Sequence, residues 1–409
     1  MKRIAIILIA LLSLPLLQSF TYQSGRASLS PYPDNAAIAA YPDSLTPIFI
    51  NYVGRHGSRY PAGSYFTMMI KRALDTAEQE KTITPLGKDF KQVVEKVIAA
   101  TGDNWGQLDT IGEREHRHIA ARMAEAYPEL LDSAKVEAIS SYSPRCIMSM
   151  YSFCHELTKK VKNIDVLTSS GKCYSNLMRN YELDEAYNEY KSDTAYVSTY
   201  NKFAAANIPI DPLLRILGEN YPMDYDKVYD LALAQYYVAA GMNCMGLDFD
   251  AEKYFTIEEY KKLWSVFNFR QYLLYSASTL SSRPAEIAAP LLQDIIFTAD
   301  KVLSGNLDLD VKLRFGHAET LMPLMALLQA PHCYYLTNYY DTVADNWKDY
   351  ESFPMAANLQ MIFFKAPSGK IYVRTDYNEK PIKLLHGYKS EYVEWDTLRF
   401  HLIELIPLS

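Results

Sequence analysis

"PIFINYVGRHGSRYP" (residues 47–61) joins a run of strand-formers to two arginines, one histidine and two glycines. Pro47–Val53 is an apolar run but for Asn51, the pattern of a strand buried on both faces of a parallel sheet. Gly54 ends that run and His56 falls just beyond it. Open α/β sheets gather their functional groups there, at the carboxyl ends of strands. Histidine is scarce in this chain, eight in 409 residues. One set between Arg55 and Arg59 faces positive charge on both sides, so the surrounding chain has to supply a reason for the placement.

Before this stretch, residues 20–46 read as an extended lead-in in which two "YPD" turns bracket "NAAIAA". After it, "QLDTIGEREHRHIAARMAEAYPELL" (residues 107–131) opens with Thr110 and Glu113 at capping-box spacing and keeps helical spacing to Pro128. "VEAISSYSPRCIMSMYSFCHEL" (residues 136–157) reads as a strand, a turn at Ser143–Pro144 and a helix. From about 160 to 300 the chain is rich in Tyr, Asp and Glu, with helical periodicity and few strand signals. "DLDVKLRFGHAETLMPLMALL" (residues 308–328) resumes strand, turn and helix. "NLQMIFFKAPSGKIYVRTDYNEKPIKLL" (residues 358–385) reads as a hairpin turned at Ser368–Gly369, with a second bend at Asn378–Glu379. The expected fold is α/β: a mostly parallel central sheet flanked by helices, with a second, mainly helical domain inserted. Residues 20–160 form its first α/β part, 161–300 the helical insertion that lids the substrate cleft, and 301–409 its second α/β part.

The first nineteen residues read as a signal peptide. Lys2 and Arg3 precede "IAIILIALLSLPLL", an apolar run too short to span a bilayer comfortably, with a cleavage pattern near "LQS". This predicts an exported protein, periplasmic or secreted, beginning near Phe20, with no membrane span left. The formal charge is −7, or −9 once Lys2 and Arg3 are removed. That balance argues against nucleic acid, which wants a basic footprint. It leaves room for a small anion, because a cleft can focus positive potential inside a negative protein. The five cysteines specify no disulfide framework: Cys146 and Cys154 sit on one helix about 12 Å apart along its axis, too far to bridge. Without Cys-x-x-Cys or His-Glu-x-x-His, no metal and no cofactor is expected. Oligomeric state is not legible.

Arg-His-Gly-x-Arg-x-Pro would arise by chance in such a chain with probability on the order of 10⁻⁴. It resembles the histidine phosphatase superfamily, in the acid phosphatase and phytase branch. "FGHAET" (residues 315–320) matches that branch's second signature, and its His-Ala-Glu form resembles the multiple inositol polyphosphate phosphatases. Between the two, "LDTIGEREHRHIAARM" looks like the helix that follows a Leu-Thr-x-x-Gly turn. "SSYSPRCIMSMYSF" is similar to a Ser-x-x-x-Arg-x-x-x-Ser segment, giving Arg145 and Ser149. "LMRNYELDEAY" is similar to a Leu-Arg-Phe-Phe-Asp-x-Cys-x-x-Tyr segment, with Asn180 and Glu185 in place of Phe and Cys.

These residue types suit phosphoryl transfer. A phosphate monoester carries nearly two negative charges that must be held while the reacting atoms line up. Arg55, Arg59 and Arg145 can form a bidentate cradle, with His317 as a further donor. Positive neighbours press the pKa of His56 down, and the neutral ring keeps a lone pair with which to attack phosphorus. Gly54 and Gly57 are expected to let the backbone approach the phosphoryl group. The resemblance assigns the proton for the leaving alkoxide to Glu319. Arg179 and Lys191, near a tyrosine cluster, are candidates for meeting outlying phosphates of a polyphosphorylated ring. Arg314 is expected to be structural, and His116, His118, His155, His332, His386 and His401 have no motif support. The resulting expectation is an exported phosphatase that hydrolyses inositol polyphosphates, phytate above all, through a phosphohistidine. The alternatives are a broad acid phosphatase without inositol preference and a non-catalytic phosphate-ligand binding protein.

Overall fold

The computed structural model of the chain describes residues 20–407. The segment read as a signal peptide therefore lies outside the described residues. Eight strands form one sheet: β1 (Thr46–Arg55), β2 (Lys135–Ser140), β3 (Asp165–Ser170), β4 (Val311–Gly316), β5 (Asn358–Lys365), β6 (Ile371–Tyr377), β7 (Lys380–Ile382) and β8 (Tyr392–Glu394). Their order is β3-β2-β4-β1-β5-β6-β7, with β8 also beside β6. The sheet is parallel at its core, from β3 to β1, and antiparallel from β5 onward. This is the expected α/β class.

Strand alternation sorts the core into two layers. Phe49 and Val53 of β1 pack into one cluster with helices Ala289–Leu303, Ala318–Leu327 and Trp395–Glu404. Ile50 and Tyr52 point to the other face, against helices Thr110–Ala126 and Pro144–Lys160. Arg314 interrupts the apolar pattern of β4 and is fully buried. It pairs with Asp294 at 2.6 Å and donates to Thr298 Oγ at 3.1 Å, a structural role as expected.

Several boundaries differ from the sequence reading. The segment assigned to the insertion from 161 opens with β3, which completes the parallel edge; its half-exposed face hides the strand signal. The helical layer also draws in helices Tyr65–Gln79 and Pro85–Thr101, which share a third cluster with helices Val228–Gly241 and Ile257–Tyr275. The cap of helix Thr110–Ala126 is Asp109, whose Oδ1 accepts from the Ile111 amide at 2.9 Å, and Glu113 pairs with Arg117 instead. The bend at Asn378–Glu379 is present, with both residues left-handed at φ 49° and 63°. Such a turn ordinarily favours Asn and Gly. Glu379 is held there by Arg122, which grips both carboxylate oxygens at 2.8 and 2.6 Å. All five cysteines are unpaired. No helix among the described residues is long and apolar enough to cross a membrane.

Candidate active site

Parallel pairing brings three chain segments to one place. Arg55 at the end of β1 stands opposite Gly316 at the end of β4, so His56 and His317 leave the sheet side by side. The His56 amide donates to the Gly316 carbonyl at 2.9 Å, and the Ser141 amide to the Phe315 carbonyl at 3.0 Å. The residues after β2, from Ser141 to Arg145, therefore join the same edge. The two imidazole rings lie 5.7 Å apart.

His56 is buried, and its Nδ1 lies 2.9 Å from the Gly57 carbonyl. A carbonyl only accepts, so Nδ1 carries the proton and the neutral ring keeps its lone pair on Nε2. Burial is the larger cause that holds His56 well below the usual histidine range. The guanidiniums of Arg145, Arg55 and Arg59 add to it.

Arg55 is anchored from behind: Nη1 donates to the carbonyls of Ser28 and Phe353 at 2.7 Å each and of Pro354 at 3.2 Å. Burial, then the neighbouring Arg59, pulls it down to about 10, still charged at neutral pH. Arg59 donates to the Tyr60 carbonyl at 2.9 Å. The Nε groups of Arg55, Arg59 and Arg145 are buried without acceptors. Buried donors without partners are uncommon, and three of them around one histidine suit an anion.

His317 is wedged between two guanidiniums, that of Arg145 again and that of Arg179. Its Nδ1 lies 3.1 Å from Arg145 Nη2 and its Nε2 lies 2.8 Å from Arg179 Nη1. Burial, then Arg145 and Arg179, keeps this ring neutral as well. A neutral ring has one lone pair, so only one of those contacts can be a hydrogen bond. The other sets donor against donor, a conflict that an acceptor oxygen entering the site relieves. Arg179 thus belongs beside the cradle rather than in an outer position. Glu182 grips it, and Tyr142 lies under its guanidinium at 4.7 Å.

Both glycines are required by packing. A Cβ on Gly57 would sit 2.6 Å from the Gly112 backbone, and one on Gly54 would sit 2.5 Å from the Tyr52 hydroxyl. The loop between them is laced from below. The Gly57 amide donates to Ser149 Oγ at 3.1 Å, and Glu115 accepts from the Ser58 amide and hydroxyl at 2.7 Å each and from the Tyr32 amide at 2.9 Å. Burial pushes Glu115 up to about 7 against those hydrogen bonds.

In front of this floor opens a cleft of about 420 Å³, lined by Arg55, His56, Arg59, Arg145 and Glu319 together with residues of the helical layer. Glu319 lies in the first turn of helix Ala318–Leu327, half-buried and facing the cleft. All the residues expected to carry the chemistry are thus brought together. Lys191 is not: its Nζ folds over the Tyr187 ring at 4.7 Å and lies 3.5 Å from the Tyr181 carbonyl.

A family model described as histidine phosphatase superfamily, branch 2, matches residues 48–378. The chain belongs to this family. Among solved structures it resembles the Bifidobacterium longum multiple inositol polyphosphate phosphatase in its apo form, at a TM-score of 0.78 and 19% identity over 93% of this chain and 97% of that one. The complex of that phosphatase with inositol hexasulfate superposes at 0.75 with 18% identity, again over 93% and 97%. The phytase from D. castellii superposes at 0.70 with 15% identity, over 97% and 88%. At these identities the likeness is one of fold.

Within this histidine phosphatase, sequence reasoning missed Arg270, Ser141 and Glu115. Arg270 lines the cleft from helix Ile257–Tyr275 and is exposed. An exposed arginine on an aromatic-rich helix carries no motif. Ser141 stands 2.9 Å from His317 Nε2, and Glu115 lay unread within a helix recognised only as a whole. The arrangement offers a cationic floor, a neutral imidazole with its lone pair on Nε2, and a carboxyl group at the mouth.

Proposed function

We propose that this chain is an exported phosphomonoesterase that removes phosphate stepwise from inositol polyphosphates, phytate included, through a phosphohistidine. His56 Nε2 bonds to phosphorus as the ester P–O bond breaks, and Glu319 gives its proton to the leaving alkoxide. Water then attacks the phosphohistidine, passes a proton to Glu319 and releases phosphate, which returns His56 to its neutral form. Arg55, Arg59, Arg145 and His317 hold the phosphoryl oxygens, and Arg179 steadies His317. The observation that carries the reading is the Nδ1 contact of His56 with the Gly57 carbonyl, which leaves the reactive nitrogen free among guanidiniums. The preference for inositol draws on the His-Ala-Glu form of the second motif and on the neighbouring phosphatase solved with inositol hexasulfate.

Radiolabelled phytate quenched into denaturing alkali within milliseconds should leave labelled phosphate on the wild-type protein and none on His56→Ala. Turnover by the variant should fall by at least about 10⁴. An active preparation that never carries label would overturn the covalent route. A broader phosphomonoesterase is the second reading. It is favoured by the sparse charge of the outer cleft, where Arg270 and Asp230 share the lining without forming an ion pair. Relative rates on phytate and on simple sugar phosphates separate the two.

A further inference from the structure

The part of the cleft beyond the phosphoryl cradle is built mainly of rings. Phe267 and Tyr237 lie 6.3 Å apart, Tyr237 and Phe66 5.2 Å apart, and Phe66 and Tyr65 5.2 Å apart. The first three line the cleft and are half-buried, with successive rings tilted by 49° and 37°, while Tyr65 is 61% exposed and carries the row to the surface. The row begins at the cradle itself, since Tyr237 shares a small pocket with Arg59. These spacings are those of aromatic rings in contact.

Charge on the same wall is sparse. Arg270 has no ion-pair partner among the described residues, and Asp230 lies on the same lining. Arg270 can meet one outer phosphate of a phosphorylated ring, and the remaining wall offers mostly aromatic surface. A flat apolar group loses only water when it lies on such a wall.

We propose that the outer cleft is a stacking subsite for phosphomonoesters whose alcohol carries a planar ring, of which nucleoside monophosphates are the test class. This rests on the phosphomonoesterase reading and adds a substrate class to it. With the phosphoryl group on His56 and the ester oxygen near Glu319, the remainder of the substrate extends into this cleft. A base stacked there is held without any requirement for base-specific hydrogen bonds, so purines and pyrimidines are both accepted.

Adenosine 5′-monophosphate and ribose 5-phosphate share one primary alkoxide leaving group and differ by the base, which isolates the subsite. The nucleotide should have the higher kcat/KM by about tenfold, carried by KM. In Phe66→Ala and Tyr237→Ala that ratio should fall to within about twofold. A ratio near one in the wild type overturns the subsite, as do variants that lower both esters equally. Phe66→Leu keeps apolar volume without a ring and replaces the alanine variant if that one fails to fold. Should no ester turn over and no phosphohistidine form, the phosphatase reading fails by itself. Calorimetry of the same two ligands with His56→Ala protein then still decides: tighter binding of the nucleotide supports the subsite, and equal affinities overturn it.

Discussion

Arg55 is fastened to three backbone carbonyls from behind, whereas Arg270, across the same cleft, is exposed and has no ion-pair partner among the described residues. The two regions differ in kind. Around Arg55 the floor is over-determined: helix Thr110–Ala126 presses its Gly112 on Gly57, Glu115 ties Ser58, and strand pairing sets His56 against Gly316. A floor built this way costs little to organise when charge develops on the phosphoryl group, because its donors already stand in place. The outer wall is made of side chains on helices, with half-buried rings and Arg270, a cation in no ion pair among the described residues. It can accept different alcohols without disturbing the floor. On the proposed function, the comparison assigns phosphate capture to loops at strand ends and choice of alcohol to the helical layer, two separate layers of the molecule.

Glu319 stands where the two layers meet, and its replacement gives the largest expected effect of the variants that break the comparison. Glu319→Gln should lower kcat on inositol and other alkyl esters by about 10² to 10³, because a poor leaving group needs the proton. Nitrophenyl phosphate, whose leaving group scarcely needs one, should lose less than about tenfold. Steady-state rates on both esters check this. Equal losses would make Glu319 part of the floor and leave the boundary between the layers elsewhere.

The stiffness of the floor has a measurable cost in acid. His116 is fully buried behind β4, its ring 5.6 Å from that of Phe315, and a contact with the Arg55 backbone offsets the burial only in part. Burial lowers it to about 3. The unfolded chain takes up a proton near 6.5 that the folded chain refuses, so this residue makes stability fall as pH drops from about 6.5 toward 3. At pH 5 the loss relative to pH 8 is roughly 2 kcal/mol. His116→Phe should remove that share of the difference between urea unfolding free energies at pH 8 and pH 5. A difference unchanged by the substitution would show that the ring is not held neutral by its packing.

Much of the floor was legible in the sequence, for a physical reason. Arg55, His56 and Arg59 are near in the chain because a strand end and its loop deliver them together, and His317 and Glu319 are delivered the same way by β4. Such groups leave motifs. The hairpin bend at Asn378–Glu379 was legible through turn chemistry. Residues that act from the side of a helix leave none: Arg270 follows an ordinary helical spacing, and Glu115 reaches Ser58 across a contact 57 positions long. Arg179 was noticed for its charge but placed too far out. Its position depends on Thr320 donating to the Met178 carbonyl at 2.6 Å and Asn180 to the Ile287 carbonyl at 2.7 Å, which draw the strap formed by residues 178–191 onto His317. The packing role of Gly57 leaves no trace in the sequence, because the partner it makes room for, Gly112, lies on a helix 55 positions away.

The smallest expected effect sharpens the outer half of the comparison. Arg270 and Lys191 are both cations of the helical layer, and only the first faces the cleft. An exposed guanidinium meeting an outer phosphate contributes on the order of 1 kcal/mol, about fivefold in KM. Arg270→Ala should therefore raise KM for an inositol polyphosphate about fivefold relative to an inositol monophosphate, with kcat retained. Lys191→Ala should alter neither, because its ammonium already lies on the Tyr187 ring. A selective KM rise in Lys191→Ala would mean that the strap swings its cation toward bound polyphosphate. The helical layer would then answer outer charge with two residues, and the balance between rings and cations on that wall would shift toward polyphosphates.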